Sequence, residues 1–235
     1  LYTVRTDAVV KLENNITTAD FSKNDLLVYG VPTQSGISIK IYDVSRNTLR
    51  TLAQLPLNEW NVFWLNDREL GLYNKPSGTA NGLYMSLNVA TKKLTQLSGP
   101  LKGLSAIGLD RPGYSIVSTG GAGQVRTYLL NNSTRVLGNL EVNTFAEKCA
   151  KTVFASSVFC AVPKNLSQNS LYPDNWYQGL TNFSDVIVYR PTNATDTRVL
   201  SYLEDRPISV INMQVSPAGI FFMDDRTQEL YVVEP

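Results

Sequence analysis

TRVLGNL at residues 134–140 and TRVLSYL at residues 197–203 are almost the same heptapeptide, and they decide how the chain is read. Each closes on an apolar residue, two further residues and a leucine. The same ending occurs at Val9-Val10-Lys11-Leu12, Leu49-Arg50-Thr51-Leu52 and Leu94-Thr95-Gln96-Leu97. The final leucines, Leu12, Leu52, Leu97, Leu140 and Leu203, are 40, 45, 43 and 63 residues apart. A period near 40–45 residues built from short strands is the signature of a β-propeller blade.

Outward from each ending, the units share one grammar of short apolar segments separated by polar turns. In ISIKIYDV (residues 37–44) Ile37, Ile39 and Ile41 alternate with Ser38 and Lys40, which is strand period and not helix period. Turn chemistry recurs between segments, as at Pro76-Ser77-Gly78, Asn81-Gly82 and Asp110-Arg111-Pro112-Gly113. Gly120-Gly121-Ala122-Gly123 is not a phosphate loop, because it lacks the GK[ST] end and no helical pattern follows it. The expected fold is therefore all-β, a propeller of four-stranded antiparallel blades. Complete blades are expected at residues 20–57, 58–98, 103–140 and 145–203, with partial ones at 1–12 and 208–235. Leu1-Tyr2-Thr3-Val4 resembles Leu230-Tyr231-Val232-Val233, so both ends read as third strands. That duplication points to a piece of a larger ring.

Composition removes several functions. The chain has 235 residues, no histidine and a net charge of +1. Without histidine there is no Ser-His-Asp or Cys-His catalysis and little scope for zinc. A near-zero charge gives no basic face for nucleic acid. No stretch approaches the ~18 apolar residues of a membrane-spanning helix. Cys149 and Cys160 do not form a CxxC pair and have no third ligand, so no metal or other cofactor is expected. Ten residues separate them, and residues 154–157 read as a hairpin turn that sets the two opposite each other on neighbouring strands. That arrangement suits a disulfide and an oxidising compartment.

The fourth unit carries further local patterns: Glu147-Lys148-Cys149, Phe159-Cys160-Ala161-Val162-Pro163-Lys164, Tyr172-Pro173-Asp174-Asn175-Trp176-Tyr177-Gln178-Gly179 and Phe183-Ser184-Asp185. Glu59-Trp60, Lys75-Pro76-Ser77, Gly103-Leu104 and Asn14-Asn15-Ile16 fit the same set. Together they resemble uncharacterised TolB-like β-propellers of candidate-phylum bacteria. The resemblance implies a cell-surface or periplasmic protein with further N-terminal blades, held to the membrane by a segment outside this sequence. It implies no activity.

The unit at 145–203 is about twenty residues longer than the others, and the excess is residues 163–183. A loop between second and third strands sits beside the channel mouth, where it can line a site. Tyr172, Asp174, Trp176 and Tyr177 are the candidate partner-binding residues, since large amphipathic aromatics are enriched at interface hot spots. The competing reading is that the aromatics pin the loop to its own blade. Asp174 and Asp185 read as turn and strand-start residues before they read as catalytic carboxylates or calcium ligands, and Lys75 reads as a turn residue. Trp60 and Trp64 share one side of a strand and are expected to pack between blades. Asn15, Asn131, Asn132, Asn165, Asn182 and Asn193 begin glycosylation sequons, which the bacterial resemblance leaves unmodified. The expected function is a non-catalytic extracytoplasmic scaffold binding a protein or cell-envelope component, with no nucleic-acid partner. The alternatives are an accessory or substrate-gating propeller of a hydrolase or lyase, and a structural spacer.

Overall fold

A computed structural model of the chain describes residues 2–3, 8–152, 157–191, 197–202 and 207–234. It is an all-β propeller of five antiparallel blades. Blade 1 is β3 (Thr18–Phe21), β4 (Leu26–Thr33), β5 (Gly36–Asp43) and β6 (Thr48–Leu55). Blade 2 is β7 (Trp60–Asn66), β8 (Glu69–Asn74), β9 (Asn81–Asn88) and β10 (Leu94–Lys102). Blade 3 is β11 (Ser105–Gly108), β12 (Tyr114–Gly121), β13 (Gln124–Asn131) and β14 (Val136–Asn139). Blade 4 has β15 (Ser157–Pro163), β16 (Asp185–Pro191) and β17 (Arg198–Tyr202), and blade 5 has β18 (Val210–Ser216), β19 (Gly219–Asp224) and β20 (Leu230–Val233). Near the start of the chain, β1 (Tyr2–Thr3) and β2 (Ala8–Val9) pair only with each other as a two-stranded sheet.

This corrects the expected count of four complete blades and two partial ones. The segment at 208–235 is a three-stranded blade in its own right. The unit at 145–203 is also three-stranded among the described residues. The strand expected to carry Cys149 opposite Cys160 is replaced by one turn of 3-10 helix, Ala146–Lys148, and a single bridge between Cys149 and Cys160. Hydrogen bonds to blade 3 and to β15 hold this segment. Thr144 N–H donates to Thr127 Oγ1 at 3.1 Å, Thr144 Oγ1 donates to the Ala161 carbonyl at 2.5 Å, and Ala146 N–H donates to Ser118 Oγ at 2.9 Å. The N-terminal segment is no blade either. Its Val10, Leu12 and Ile16 lie over Leu27, Tyr29 and Tyr42 on one face of blade 1.

The repeated leucine has a local cause. In β6, Thr51 and Ala53 face Lys40 and Ile39, so Leu52 is the extra residue of a β-bulge. Leu97 holds the same place in β10, between Gln96 and Ser98, which face Met85 and Tyr84. The bulge turns Leu52 and Leu97 into the core. Leu52, Leu97 and Leu140 are buried, while Leu49, Leu94 and Leu137, three residues earlier, are exposed. In blade 4 the register differs from the sequence match. Val199 and Ser201 face Val188 and Ile187, so the bulged residue is Leu200. Leu203 lies outside the described residues, as do the turn residues 153–156 and Asn193. The bulge in TRVLSYL thus falls three residues earlier in the repeat than those at Leu52 and Leu97.

Blades pack face to face through apolar side chains. Val28, Ile39, Ile41 and Leu52 of blade 1 meet Val62, Trp64, Leu70 and Leu72 of blade 2, with Trp60 alongside. Fully burying each large aliphatic is worth ~1.5–3 kcal/mol. The tryptophans pack between blades as their spacing predicts. Near the axis polar groups join neighbours instead. Thr18 Oγ1 accepts from Val62 N–H at 3.0 Å, and Asp20 Oδ2 accepts from Trp64 N–H at 2.8 Å. β3 carries this polar role with the sequence TADF, which explains why hydrophobic patterning did not reveal it.

Candidate functional site at the strapped channel mouth

Residues 164–184 run from β15 to β16 as a strap that crosses three blades. Its core is aromatic. Phe145 stacks on Trp176 with ring centroids 4.6 Å apart and meets Tyr172 edge-on at 5.9 Å, and Phe183 closes the group at 5.6 Å from Phe145. All four rings are buried. A four-residue helical turn, Asp174–Tyr177, carries the outward residues.

The strap is seated on glycines. Tyr172 N–H donates to the Gly121 carbonyl at 3.0 Å, and Gly123 N–H donates to the Ser170 carbonyl at 2.8 Å. A Cβ on Gly120 or on Gly78 would stand 2.6 Å from the Tyr172 carbonyl oxygen, and one on Gly123 would stand 2.8 Å from Gln168 Cα. The glycine-rich run in blade 3 is therefore a landing site for backbone. Asp174 fastens the strap to blade 2, its carboxylate accepting from Gly78 N–H at 2.6 Å and Ser77 Oγ at 3.1 Å. Trp176 Nε1 donates to Asp225 of blade 5 at 3.2 Å.

Beneath the strap lies a fully buried ion pair. Lys148 Nζ is 2.7 Å from Asp185 Oδ2 and 2.9 Å from the Val210 carbonyl, and it lies 5.1 Å from the Trp176 ring centroid and 5.0 Å from that of Phe183. Asp185 also accepts from Val210 N–H at 2.7 Å. Burial pushes the Lys148 ammonium down and the Asp185 carboxyl up, while each charge opposes the other's shift. The disulfide joins Cys149 to Cys160 next to this pair, with S–S 2.01 Å and Cα–Cα 4.0 Å.

Five blades converge on a central channel. A chamber of about 270 Å³ on the strap side is lined by Thr18 and Asp20 of β3, Asn61 of β7, Glu147, and Asn212 and Gln214 of β18. Toward the other end a second cavity, of about 230 Å³, is lined by Lys23, Trp64, Asp67, Asp110 and Pro112. Asp20 and Lys151 belong to both cavities, and Lys151 Nζ lies 2.5 Å from Asp20 Oδ1. That pair ties blade 1 to the first segment of blade 4 across the channel.

Glu147 is the distinctive group of the upper chamber. Its Oε1 accepts from the Tyr73 hydroxyl at 2.7 Å, and both carboxylate oxygens accept from the Tyr177 hydroxyl at 2.9 Å. Tyr73 comes from blade 2 and Tyr177 from the strap, so the carboxylate is where three parts of the fold meet. Burial pushes the Glu147 carboxyl above its ordinary value, against the pull of its two phenol donors. Burial, then the Glu147 charge, hold both phenols well above theirs.

The sequence candidates separate by position. Tyr172 and Trp176 are buried within the strap, Asp174 clamps blade 2, and Tyr177, 40% exposed, brings its hydroxyl to the Glu147 carboxylate. Lys75 pairs with Glu59 at 2.6 Å on the surface. Glu147 was visible only as part of a local pattern, and Asp20, Asn61, Tyr73, Lys151 and Gln214 were not singled out. Their shared signal is position: all but Tyr73 belong to the innermost segment of a blade. Among the described residues no group of three or more His, Cys, Asp and Glu side chains could hold a metal.

No protein-family model matches the chain, and no curated protein matches it. Solved structures do. The β-propeller domain of the trilobed protease from Pyrococcus furiosus aligns with a TM-score of 0.64 at 10% identity, over 99% of this chain and 71% of that one. TolB from Acinetobacter baumannii aligns at 0.56 and 11% identity, over 94% of this chain and 54% of that one. A chain of a nidogen/laminin complex aligns at 0.64 and 9% identity, over 93% and 75%. At such identities the likeness is one of fold: this chain is a β-propeller with TolB-like structural neighbours.

Proposed function

We propose that the protein is a non-catalytic binding propeller of an oxidising, extracytoplasmic compartment, and that a protein segment or cell-envelope component enters at the strapped mouth of its channel. The observation that carries this reading is the upper chamber. It is concave, it is polar, and it gathers side chains from all five blades around one half-buried carboxylate that Tyr177 of the strap holds, which is how binding sites are built on a scaffold. The Cys149–Cys160 disulfide supports the compartment. A substrate-gating role beside a hydrolase or lyase is the second reading. It is favoured by the Asp20–Lys151 pair lying across the channel.

The test is capture from envelope extract by immobilised protein, comparing Asn61→Ala and Gln214→Ala at the strapped mouth with Asp67→Ala at the other. We expect the mouth variants to keep their melting temperature and lose the captured species, and Asp67→Ala to keep both. Identical capture by all three would overturn the reading.

A further inference from the structure

Among the described residues several buried or cavity-wall carboxylates face a cation, and Glu147 does not. The fully buried carboxylates Asp185 and Asp224 face Lys148 at 2.7 Å and Arg226 at 3.7 Å. Asp20, in the channel wall, faces Lys151. In the lower cavity Asp110 lies 3.5 Å from Lys23. Glu147 is half-buried in the wall of the upper chamber, and among the described residues no lysine or arginine forms a salt bridge with it. Its neighbour Lys148 turns away to Asp185. Both of its donors are neutral phenols. A carboxylate has about four lone-pair sites, and two phenols leave acceptor capacity directed into the chamber.

We propose that the upper chamber is a receptor site for a primary ammonium or guanidinium group, with Glu147 as its counter-ion. This rests on the reading that a ligand enters at the strapped mouth, and it adds the chemistry that the site recognises. Desolvating a carboxylate without a cation is costly, and an entering cation offsets that cost. The phenols hold the carboxylate in place, so little freedom is lost on binding. The amides of Asn61, Asn212 and Gln214 line the same chamber and supply carbonyl oxygens for the remaining N–H groups. The protein already satisfies one ammonium in this way: Lys148 Nζ sits among a carboxylate, a carbonyl and two aromatic faces. A volume of about 270 Å³ is below the ~300–1,000 Å³ typical of sites for larger organic ligands. It suits a single side chain, a chain terminus or a small amine.

The experiment is calorimetric titration of the whole chain with cadaverine, agmatine, Nα-acetyl-lysinamide and the neutral 1,5-pentanediol. We expect the cations to bind at least tenfold tighter than the diol, and Glu147→Gln to remove that preference. Glu234→Gln, an exposed carboxylate elsewhere, should leave it intact. Tighter binding of Nα-acetyl-lysinamide than of cadaverine identifies a protein side chain as the natural source, and the reverse identifies a free amine. If Glu147→Gln does not fold, Glu147→Asp keeps the charge and should keep the preference at reduced affinity, with loss of the preference counting against the proposal. Cations that bind no better than the diol, or a preference that survives Glu147→Gln, would overturn the inference. The capture experiment can still succeed in that case, so the mouth as a binding site and its cation chemistry fail separately.

Discussion

Blade 1 and blade 4 are built from the same repeat and held by different forces. Blade 1 keeps four strands, a bulged leucine and an apolar face laid on blade 2. Blade 4 has lost the ladder of its first strand, and in that place it holds a buried Lys–Asp pair, a disulfide and a strap of twenty-odd residues. The regular blade is stabilised by area removed from water, which tolerates small shifts. The irregular blade is stabilised by pairwise, directional contacts, each of which fails completely when one partner goes. The irregular blade contributes Glu147, Cys149 and Lys151 to the chamber from the segment that replaces its first strand.

The largest test of that contrast is the buried pair. Asp185→Ala leaves Lys148 charged and buried, and should cost about 3–5 kcal/mol. The double variant Lys148→Met with Asp185→Leu should recover most of the loss, because an apolar pair of similar volume removes the desolvation cost. Denaturant titration of the two variants measures this. A double variant as unstable as the single would mean that the hydrogen bonds to Val210 matter more than the charges do.

The regular blade should answer to burial alone. Leu52→Ala should cost ~2–5 kcal/mol, while Leu49→Ala, three residues away and exposed, should stay within about 0.5 kcal/mol. Equal losses at both positions would break the account of the bulge. The disulfide comes next. Closing a loop with ten intervening residues contributes roughly 2–3 kcal/mol in the chain-entropy view, so Cys149→Ala with Cys160→Ala should lower stability by that amount. Thiol titration of the unfolded, unreduced protein should find no free thiol. Smaller again is Gly120→Ala, where a Cβ would press on the Tyr172 carbonyl. Lifting the strap there should cost ~1–3 kcal/mol, whereas Gly121→Ala, whose Cβ meets nothing within 4 Å, should cost less.

The same contrast marks what was legible in the sequence. Blades 1 to 3 announce themselves through alternation and turn residues, because each of their strands has one apolar face and a polar turn at its end. The disulfide was legible from cysteine spacing. Blade 4 misled in two ways. TRVLSYL matched TRVLGNL as text, but the ladder aligns Leu200 with the earlier leucines. The segment carrying Cys149 and Ala150 read as a strand because both are apolar and buried, yet it meets β15 only through the Cys149–Cys160 bridge and the Ala150 N–H bond to the Phe159 carbonyl, and a 3-10 turn and an ion pair stand where a ladder was expected. The chamber was hidden for a related reason. Asp20, Asn61, Glu147 and Gln214 are far apart in sequence, and the arrangement of the blades brings them into one cavity that no local pattern describes.

The smallest effect concerns Glu147 and pH. Its folded value is raised above the ordinary 4.5, so the folded state holds that proton more tightly than the unfolded chain does. The corresponding stabilisation is fully present below the unfolded value and is lost as pH rises through the folded one. The groups facing Glu147 do not add to the slope in that window. The Tyr73 and Tyr177 phenols are held well above their usual range, and the Lys148 ammonium acts on Glu147 only through its charge. Asp185 is also raised and bends the curve the same way, so the measurement has to be a difference. Glu147→Gln removes the titration and keeps an acceptor for both phenols. As pH rises above the ordinary carboxylate range, wild-type stability should fall relative to that of Glu147→Gln, and the gap should narrow when cadaverine occupies the chamber. Parallel curves for the two proteins would show that the carboxylate is solvated in the folded state, and would return the mouth to an ordinary polar surface.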